Sequence, residues 1–381
     1  PREWWKMLHA FILSLGFRPN RADVCFYTLH LPGGLVVLLL LYVDDILVAA
    51  SNAELATYYS KRISDTFRVS SEGPLTNYLG FDIMVDLAKH QVSICMSRYV
   101  EKMFERFKMV VKQSVVTPLQ EGITNAMHLA PEADEQFQRD FEFREKVGCI
   151  LYYMICMRPD ICYAVGLMAK QCNKVTKAAA AGVTQLLQFC YNTRFEHLVL
   201  GGTAALAIAF ADSDWATDRN NRKSQSSFIL YLGLGPVEWK SSQQKQAALS
   251  TAEAELYAKV DPCKSIIWLR MLLAETKIPE LITKYASTLF GDNTAADAIA
   301  DKYGISEKSK HFGIKASFVQ DLVSIGVIAQ EHIDTKLNVA DLGTKVVTKR
   351  VFADLREQAM GREAIIMPSK RVKTEASDNY F

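Results

Sequence analysis

The sequence holds no Cys-x-x-Cys pair, and its 7 histidines do not cluster with its 8 cysteines at zinc-ligand spacing. A structural zinc site and a redox dithiol motif are therefore excluded. We expect the cysteines to be reduced and packed as small hydrophobes, as in an intracellular protein. Net charge is scarce too. There are 44 Lys and Arg against 42 Asp and Glu, a balance of +2, so any nucleic-acid footprint must be local. Long apolar runs are missing: the longest, Leu35 to Val43, is too short for a bilayer and is stopped by Asp44 and Asp45. That points to a soluble protein without a membrane partner. There is no GxxxxGK[ST] and no HExxH, no isolated Ser-His-Asp set is recognisable, and Gly233-Leu234-Gly235 runs into Pro236 instead of completing GxGxxG. No internal repeat is visible. The chain opens at Pro1 without an initiator Met or a signal-peptide pattern, so we expect a piece of something longer.

What is present is enough for ordinary globular cores. In 381 residues, 49% are hydrophobic and 23% charged, and the length suggests two or three domains. Apolar positions at helical spacing predict a helix over Trp4 to Leu15, with Gly16 as its C-cap. Strands are expected at Cys25 to Leu31, Leu35 to Tyr42 and Ile46 to Ala50, the last two flanking a tight turn at Val43-Asp44-Asp45. Asn52 is placed to cap a helix reaching Phe67. A hairpin over Tyr78 to Val85 and Gln91 to Met96 precedes a helix from Ser97 to Val111, whose basic row Arg98, Lys102 and Arg106 is interleaved by Glu101 and Glu105. That row suits either phosphate contact or a salt-bridged solvated face. Val116 to Ala133, with Pro118, Gly122 and Pro131, looks like a linker, and Phe141 to Tyr191 looks mainly helical, broken at Pro159.

Beyond Gly201-Gly202 the pattern changes. Strands Ala205 to Ala211, Ser226 to Leu232 and Val237 to Ser241 are followed by a long helix from Thr251 to Glu275. Then come strand Thr288 to Phe290, helices Thr294 to Asp301 and His311 to Ile325, strand Val327 to Ile333, and a helix from Asn338. Three consecutive strands and then alternating elements indicate an α/β domain with a mixed sheet. The end, from Pro368, is polar and expected to be disordered.

Two sets of carboxylates suit chemistry. Asp44 and Asp45 sit where two hydrophobic strands reverse; adjacent carboxylates there suit Mg²⁺, although Asp is common in turns for its own reasons. The second set is distributed. Asp212 and Asp292 end strands, Glu255 lies in the first turns of the long helix, and Asp341 opens the last one. Strand ends and helix N-termini of α/β folds meet along one sheet edge. Three Asp and one Glu form an oxygen-only set suited to Mg²⁺ or Mn²⁺. Two carboxylates about 4 Å apart repel by roughly 4 kcal/mol at an effective dielectric near 20, so such a group is disfavoured unless cations occupy it. Singly, each residue is equally a helix-terminal acid or a solvated loop residue.

Short motifs in a fixed order carry a resemblance. Tyr42-Val43-Asp44-Asp45 with Ile46-Leu47-Val48 resembles the polymerase hairpin of copia-type LTR-retrotransposon reverse transcriptases. Asn77-Tyr78-Leu79-Gly80-Phe81 is similar to that family's FLG stretch, and Arg158-Pro159-Asp160-Ile161 matches its RPDI. Asp212-Ser213-Asp214-Trp215-Ala216 resembles DADWA of the same polyproteins' ribonuclease H domain. Trp239-Lys240-Ser241 and Leu249 to Glu255 resemble WKSKKQ and LSSTEAE. Gly291-Asp292-Asn293, Lys310-His311-Phe312 and Ala340 to Lys345 correspond to CDN, KHI and ADIFTK.

The resemblance implies a C-terminal part of a Pol polyprotein of α/β class. The expected pieces are an α+β partial polymerase palm and thumb over residues 1–112, a helical connector over 113–203, a ribonuclease H-like domain with a mixed five-stranded sheet over 204–347, and a helix and tail over 348–381. It implies that Asp212, Glu255, Asp292 and Asp341 bind two Mg²⁺ ions, with Mn²⁺ as substitute, and hydrolyse RNA in an RNA–DNA hybrid. Glu253 and Asp214 are near neighbours; Glu255 is preferred because Leu256 follows it, Asp212 because it comes first in its motif. His311 and Asn293 fall on the substrate side. Asp44 and Asp45 become a polymerase remnant lacking the third Asp of an earlier palm strand, so no polymerisation is expected from this chain alone. Gln188 to Asn192 replaces the family's RYLKG, removing basic residues that would grip a backbone. Expected partners are the hybrid, other nucleic acid and the missing N-terminal part of Pol; the expected location is intracellular, in cytoplasmic virus-like particles or the nucleus. The alternative is a non-catalytic remnant that binds nucleic acid or a polymerase partner.

Overall fold

The computed structural model describes residues 2–70, 72–202, 207–218, 221–278, 285–301 and 313–364. Among these, one compact unit comprises residues 2–79 and 267–278, and a second comprises 80–266 and 285–364.

The first unit begins with helix α1 (Arg2–Ser14), which buries Leu8 and Ile12. Strands β1 (Phe26–His30), β2 (Val36–Tyr42) and β3 (Asp45–Ala50) follow as an antiparallel meander. Alternation places Val37, Leu39 and Leu41 in the core with Tyr27 and Leu29. Helix α2 (Ala53–Thr66) starts where Asn52 accepts from the Leu55 N–H at 2.9 Å, as its sequence position predicts. Tyr42 pairs with Asp45, so Val43 and Asp44 alone form the loop. The left-handed residue there is Val43 (φ 55°), not either Asp. A β-branched residue is strained in that conformation, and the Trp4 indole N–H, 3.0 Å from the Val43 carbonyl, holds it. Residues 267–278 complete this unit: Asn20 Nδ2 donates to the Leu272 carbonyl and Trp268 Nε1 to that of Ala22.

The second unit opens with a hairpin, β4 (Phe81–Asp86) and β5 (Gln91–Cys95). Helix α3 (Ser97–Arg106) ends sooner than its apolar stripe suggests, because Lys108 takes a left-handed conformation (φ 49°) and turns the chain. Of its basic row, Arg98 bridges Asp82, while the interleaved Glu101 pairs with Arg194 at 3.1 Å. The expected linker contains a helix, α4 (Ile123–Leu129), with Met127 buried; Gly122, taken as a breaker, is its left-handed N-cap residue. Helices α5 (Phe143–Met157), α6 (Cys162–Lys170) and α7 (Lys177–Asn192) form the helical region, and β6 (Leu198–Gly201) pairs with β5.

Pro159 breaks α5 from α6, and the polar residues beside it are fully buried. Arg158 and Asp160, each with a 0% exposed side chain, form a bidentate pair with both contacts at 2.7 Å. Arg158 also donates to Tyr153 Oη and Thr193 Oγ1. Asp160 accepts from Arg356 at 2.8 Å, and Arg356 donates in turn to Glu196. Burial alone would raise the Asp160 pKa, but the two guanidiniums outweigh it and hold the carboxyl far below the usual carboxylate range.

The rest of the unit is a five-stranded mixed sheet. Strands β7 (Ala207–Asp214), β8 (Gln225–Leu232) and β9 (Gly235–Gln243) run antiparallel in sequence order. Helix α8 (Thr251–Thr276) follows, passing into the first unit at Ile267. Then come β10 (Ser287–Gly291), α9 (Thr294–Asp301), α10 (Gly313–Ser324) and β11 (Ile328–His332). The order across the sheet is β9-β8-β7-β10-β11, with β10 parallel to both β7 and β11. Where a helix was expected from Asn338, the chain makes a 3₁₀ turn over Val339–Gly343. The α-helix, α11 (Lys349–Ala359), begins only after Thr348, whose side chain caps it, and it carries Arg356. All eight cysteines are unpaired. Among the described residues, no helix is long and apolar enough to cross a membrane.

Candidate active site

Register builds the centre of the site. Phe210 on β7 lies beside Phe290 on parallel β10, and their rings stack with centroids 5.0 Å apart. Two residues further on lie Asp212, still on β7, and Asp292, the first residue past the end of β10. With a side-chain period of two, both return to the face of the stacked rings at the same sheet edge.

Glu255 arrives from α8. The start of that helix is a capping box displaced by one residue: Ser250 Oγ accepts from the Glu253 N–H at 3.2 Å, and Glu253 Oε2 reaches past the N-cap to accept from the Leu249 N–H at 2.7 Å. Glu253, further bound by Tyr257 Oη at 2.6 Å, is therefore spent on the helix end. Glu255, two residues on, faces the sheet edge and accepts from the Ser213 N–H at 3.3 Å. One ligand oxygen from each of Asp212, Glu255 and Asp292 lies within 4.8 Å of the others. They line an open cleft of about 460 Å³ with Ser213, Asp214, Trp215, Thr251, Asn293 and Lys345.

The fourth expected residue, Asp341, is buried (5% exposed) but stands outside that trio. Asn338 fastens its 3₁₀ turn to β7 by donating to the Ala211 carbonyl at 3.1 Å. Thr344 Oγ1, at the end of the turn, donates to Asp212 Oδ2. Asp341 itself accepts from Lys345 Nζ at 3.0 Å. Gly343 is required there: a Cβ would fall 1.9 Å from Ser227 Oγ on β8, the residue paired with Asp212.

The charges are crowded and dry. Burial first, then the Glu255 and Asp341 carboxylates, raises the Asp212 pKa well above normal. Burial, with Asp292 adding, pushes Glu255 up to about 8. Burial would lower the Lys345 pKa, but Asp341 and Asp212 outweigh it and raise it. The oxygen-only donor set, and the crowding that makes its carboxylates hold protons in the absence of a cation, both fit a hard divalent cation.

A sign follows for stability without divalent ions. The unfolded Glu255 ionises near pH 4.3, whereas the folded one keeps its proton to about 8. Between those values the folded state binds more protons, so stability falls as pH rises. We expect denaturation in chelator to show this loss, on the order of a few kcal/mol by pH 8, with Glu255→Gln flattening the profile. Equal pH slopes for the two proteins would contradict the buried-charge picture.

Other expected residues are placed as follows. Asn293 lines the cleft, and its Oδ1 accepts from the Ala295 and Ala296 N–H groups, capping α9. His311 lies outside the described residues. Asp44 and Asp45 are exposed at their hairpin, and among the described residues neither joins a third metal-ligating side chain. Lys345, Thr344 and Trp215 were not singled out from sequence. The signal for Lys345 was available in its position four residues after Asp341, inside a matched motif.

Comparison with known proteins adds the family. Residues 1–121 match the family described as reverse transcriptase (RNA-dependent DNA polymerase). Over 359 residues, 94% of the chain, it is 28% identical to a retrovirus-related Pol polyprotein from transposon TNT 1-94 of Nicotiana tabacum, of which it covers 27%. Over 355 residues, 92% of the chain, it is 27% identical to the one from transposon RE1 of Arabidopsis thaliana, covering 23%. The chain thus spans about a quarter of the length of these curated relatives. Among solved structures, an N-terminal RNase H domain from Mycobacterium tuberculosis aligns at 11% identity with a TM-score of 0.28, over 41% of this chain and 99% of that one.

Proposed function

Because the chain belongs to the retrovirus-related Pol polyproteins of copia-type transposons, we propose that its carboxylate cleft hydrolyses the RNA strand of RNA–DNA hybrids. The supporting observation is the convergence of Asp212, Glu255 and Asp292 from two parallel strands and one helix within 4.8 Å. These three residues, with Asp341 as the fourth, would hold two Mg²⁺ ions. When bound, Mg²⁺ supplies an acidified water and neutralises charge on the scissile phosphate.

The chain's own residues do the rest. Thr344 orients Asp212, the Ser213 N–H orients Glu255, and the capping box fixes the helix that carries it. Lys345 holds Asp341 and brings a cation to a cleft that must accept a polyanion. Asn293 stands on the substrate side. Asp44 and Asp45, which no third metal-ligating side chain joins among the described residues, mark a polymerase hairpin. We place the activity inside the cell, in cytoplasmic virus-like particles or the nucleus, with the remainder of Pol as a partner.

One observation favours a second reading, a nucleic-acid-binding remnant without turnover: Asp341 is engaged by Lys345 and lies outside the trio. Incubating the full chain with a hybrid labelled on its RNA strand, at saturating Mg²⁺, separates the two. Release of short RNA products supports the nuclease; tight binding with intact RNA selects the remnant.

A further inference from the structure

Trp215 is not needed by the mechanism above, yet it lies at the carboxylate cleft and the fold fixes its ring there. Its side chain is 43% exposed and lines the carboxylate cleft. A single exposed apolar residue is ordinary on a protein surface; this one both lines the carboxylate cleft and is held in one orientation there. The indole Nε1–H donates to the Ala248 carbonyl at 3.0 Å, so the only polar atom of the ring is satisfied and its orientation is set. The next residue, Ala216, sits in the left-handed region (φ 53°), where an alanine is strained. That conformation is held by the Ala216 N–H donating to Ser224 Oγ at 3.1 Å and by Thr217 Oγ1 donating to the Asp214 carbonyl at 2.7 Å.

Burial of the ring does not explain this expense, because the ring is not buried. Strained backbone that aims a side chain at a cleft is characteristic of ligand contacts. The ligand chemistry is set by the surroundings. A water-facing apolar ring beside carboxylates that would hold divalent cations suits a molecule that presents a phosphate to those cations and a flat or ring-shaped apolar surface to the ring. A polynucleotide strand does this at every residue. In an A-like duplex the bases are stacked away, while the shallow minor groove exposes the sugars.

We propose that Trp215 is a substrate-binding plate, packing on the sugar of a nucleotide beside the phosphate that cations in the carboxylate cleft would hold. This deepens the nuclease reading and rests on it. The ring supplies affinity and fixes the strand laterally; it takes no part in bond breaking.

The test is binding of the full chain to a fluorescein-labelled RNA–DNA hybrid by anisotropy, with Ca²⁺ replacing Mg²⁺ so that binding is read apart from cleavage. Trp215→Ala is expected to raise Kd about tenfold, the scale of an aromatic contact to a nucleotide. Trp215→Phe, which keeps a flat ring, is expected to stay within about threefold of wild type. With Mg²⁺, Trp215→Ala should raise KM by a similar factor and leave kcat within about threefold. A purely structural role would instead lower kcat by displacing Asp212. If Trp215→Ala does not fold, Trp215→Leu, apolar but not flat, carries the same comparison. Wild-type binding with an Ala or Leu variant equal to it within about twofold overturns the plate alone. No hybrid binding by wild type overturns the nuclease reading and the plate with it.

Discussion

Asp292→Asn should abolish hybrid cleavage while leaving a folded protein. Loss of a group that merely supports a metal ligand already costs about 10–100-fold, so removing a ligand charge should cost at least about 100-fold in kcat/KM. The same variant makes a thermodynamic distinction. Without divalent ions, wild type crowds three carboxyl groups within 4.8 Å, so that burial and repulsion keep Asp212 and Glu255 protonated well above the usual range, and deleting the Asp292 charge should leave stability equal or higher. With Mg²⁺ present the order should reverse, because the ion binds the folded site and wild type gains more from it. Thermal melts of both proteins, with chelator and with Mg²⁺, provide the check. Equal Mg²⁺ shifts in Tm, or undiminished cleavage by the variant, would remove the cluster from the mechanism.

The second large effect lies away from the cleft. Asp160→Ala should destabilise the second unit by about 3–5 kcal/mol, the cost of stripping one partner from a buried ion pair. Arg158, with no exposed side-chain surface, would lose both of its 2.7 Å contacts, and Arg356 would lose its 2.8 Å contact. Chemical denaturation measures this, and a change below about 1 kcal/mol would mean that water or neighbours replace the carboxylate. The pH dependence has a definite sign. The folded Asp160 pKa is depressed below its unfolded value near 3.9, so its contribution is complete above that pH and disappears on acidification below it. The RPDI motif is thus structural: it locks the helical region to α11 through Arg356.

Much of this was legible in the sequence because periodicity and turn chemistry report local structure. The meander with its hairpin, the Asn52 cap, the mixed sheet and the long helix bearing Glu255 lie where the pattern puts them. The carboxylate trio was legible as well, since strand ends and a helix start are readable and their order matches a known arrangement. What escaped depends on tertiary partners. Gly122 reads as a breaker in isolation but starts a helix because Met127 has a core to enter. Helix α3 stops early at a left-handed Lys that no propensity marks. Asp341 was expected at an α-helix start and sits in a 3₁₀ turn instead, because Asn338 ties that segment to β7. Between Glu253 and Glu255 the sequence prefers Glu255 for the Leu256 that follows it; what it does not show is that the Leu249 N–H engages Glu253 at the helix end. The RPDI cluster could not be foreseen, since nothing local reveals that Arg356 returns to Asp160 across 196 residues.

The stacked Phe210 and Phe290 mark a constraint on how this chain can change over time. Asp212 and Asp292 meet because each lies an even number of residues beyond that pair on neighbouring strands. One residue inserted or deleted between Phe290 and Asp292 would turn the carboxylate to the opposite side of the sheet, whatever amino acid were added. Surface loops, by contrast, can lengthen at small entropic cost. Drift in composition is therefore tolerated far better than drift in spacing, and related copies should keep the carboxylates together at low identity while losing the cluster on a single inserted or deleted codon.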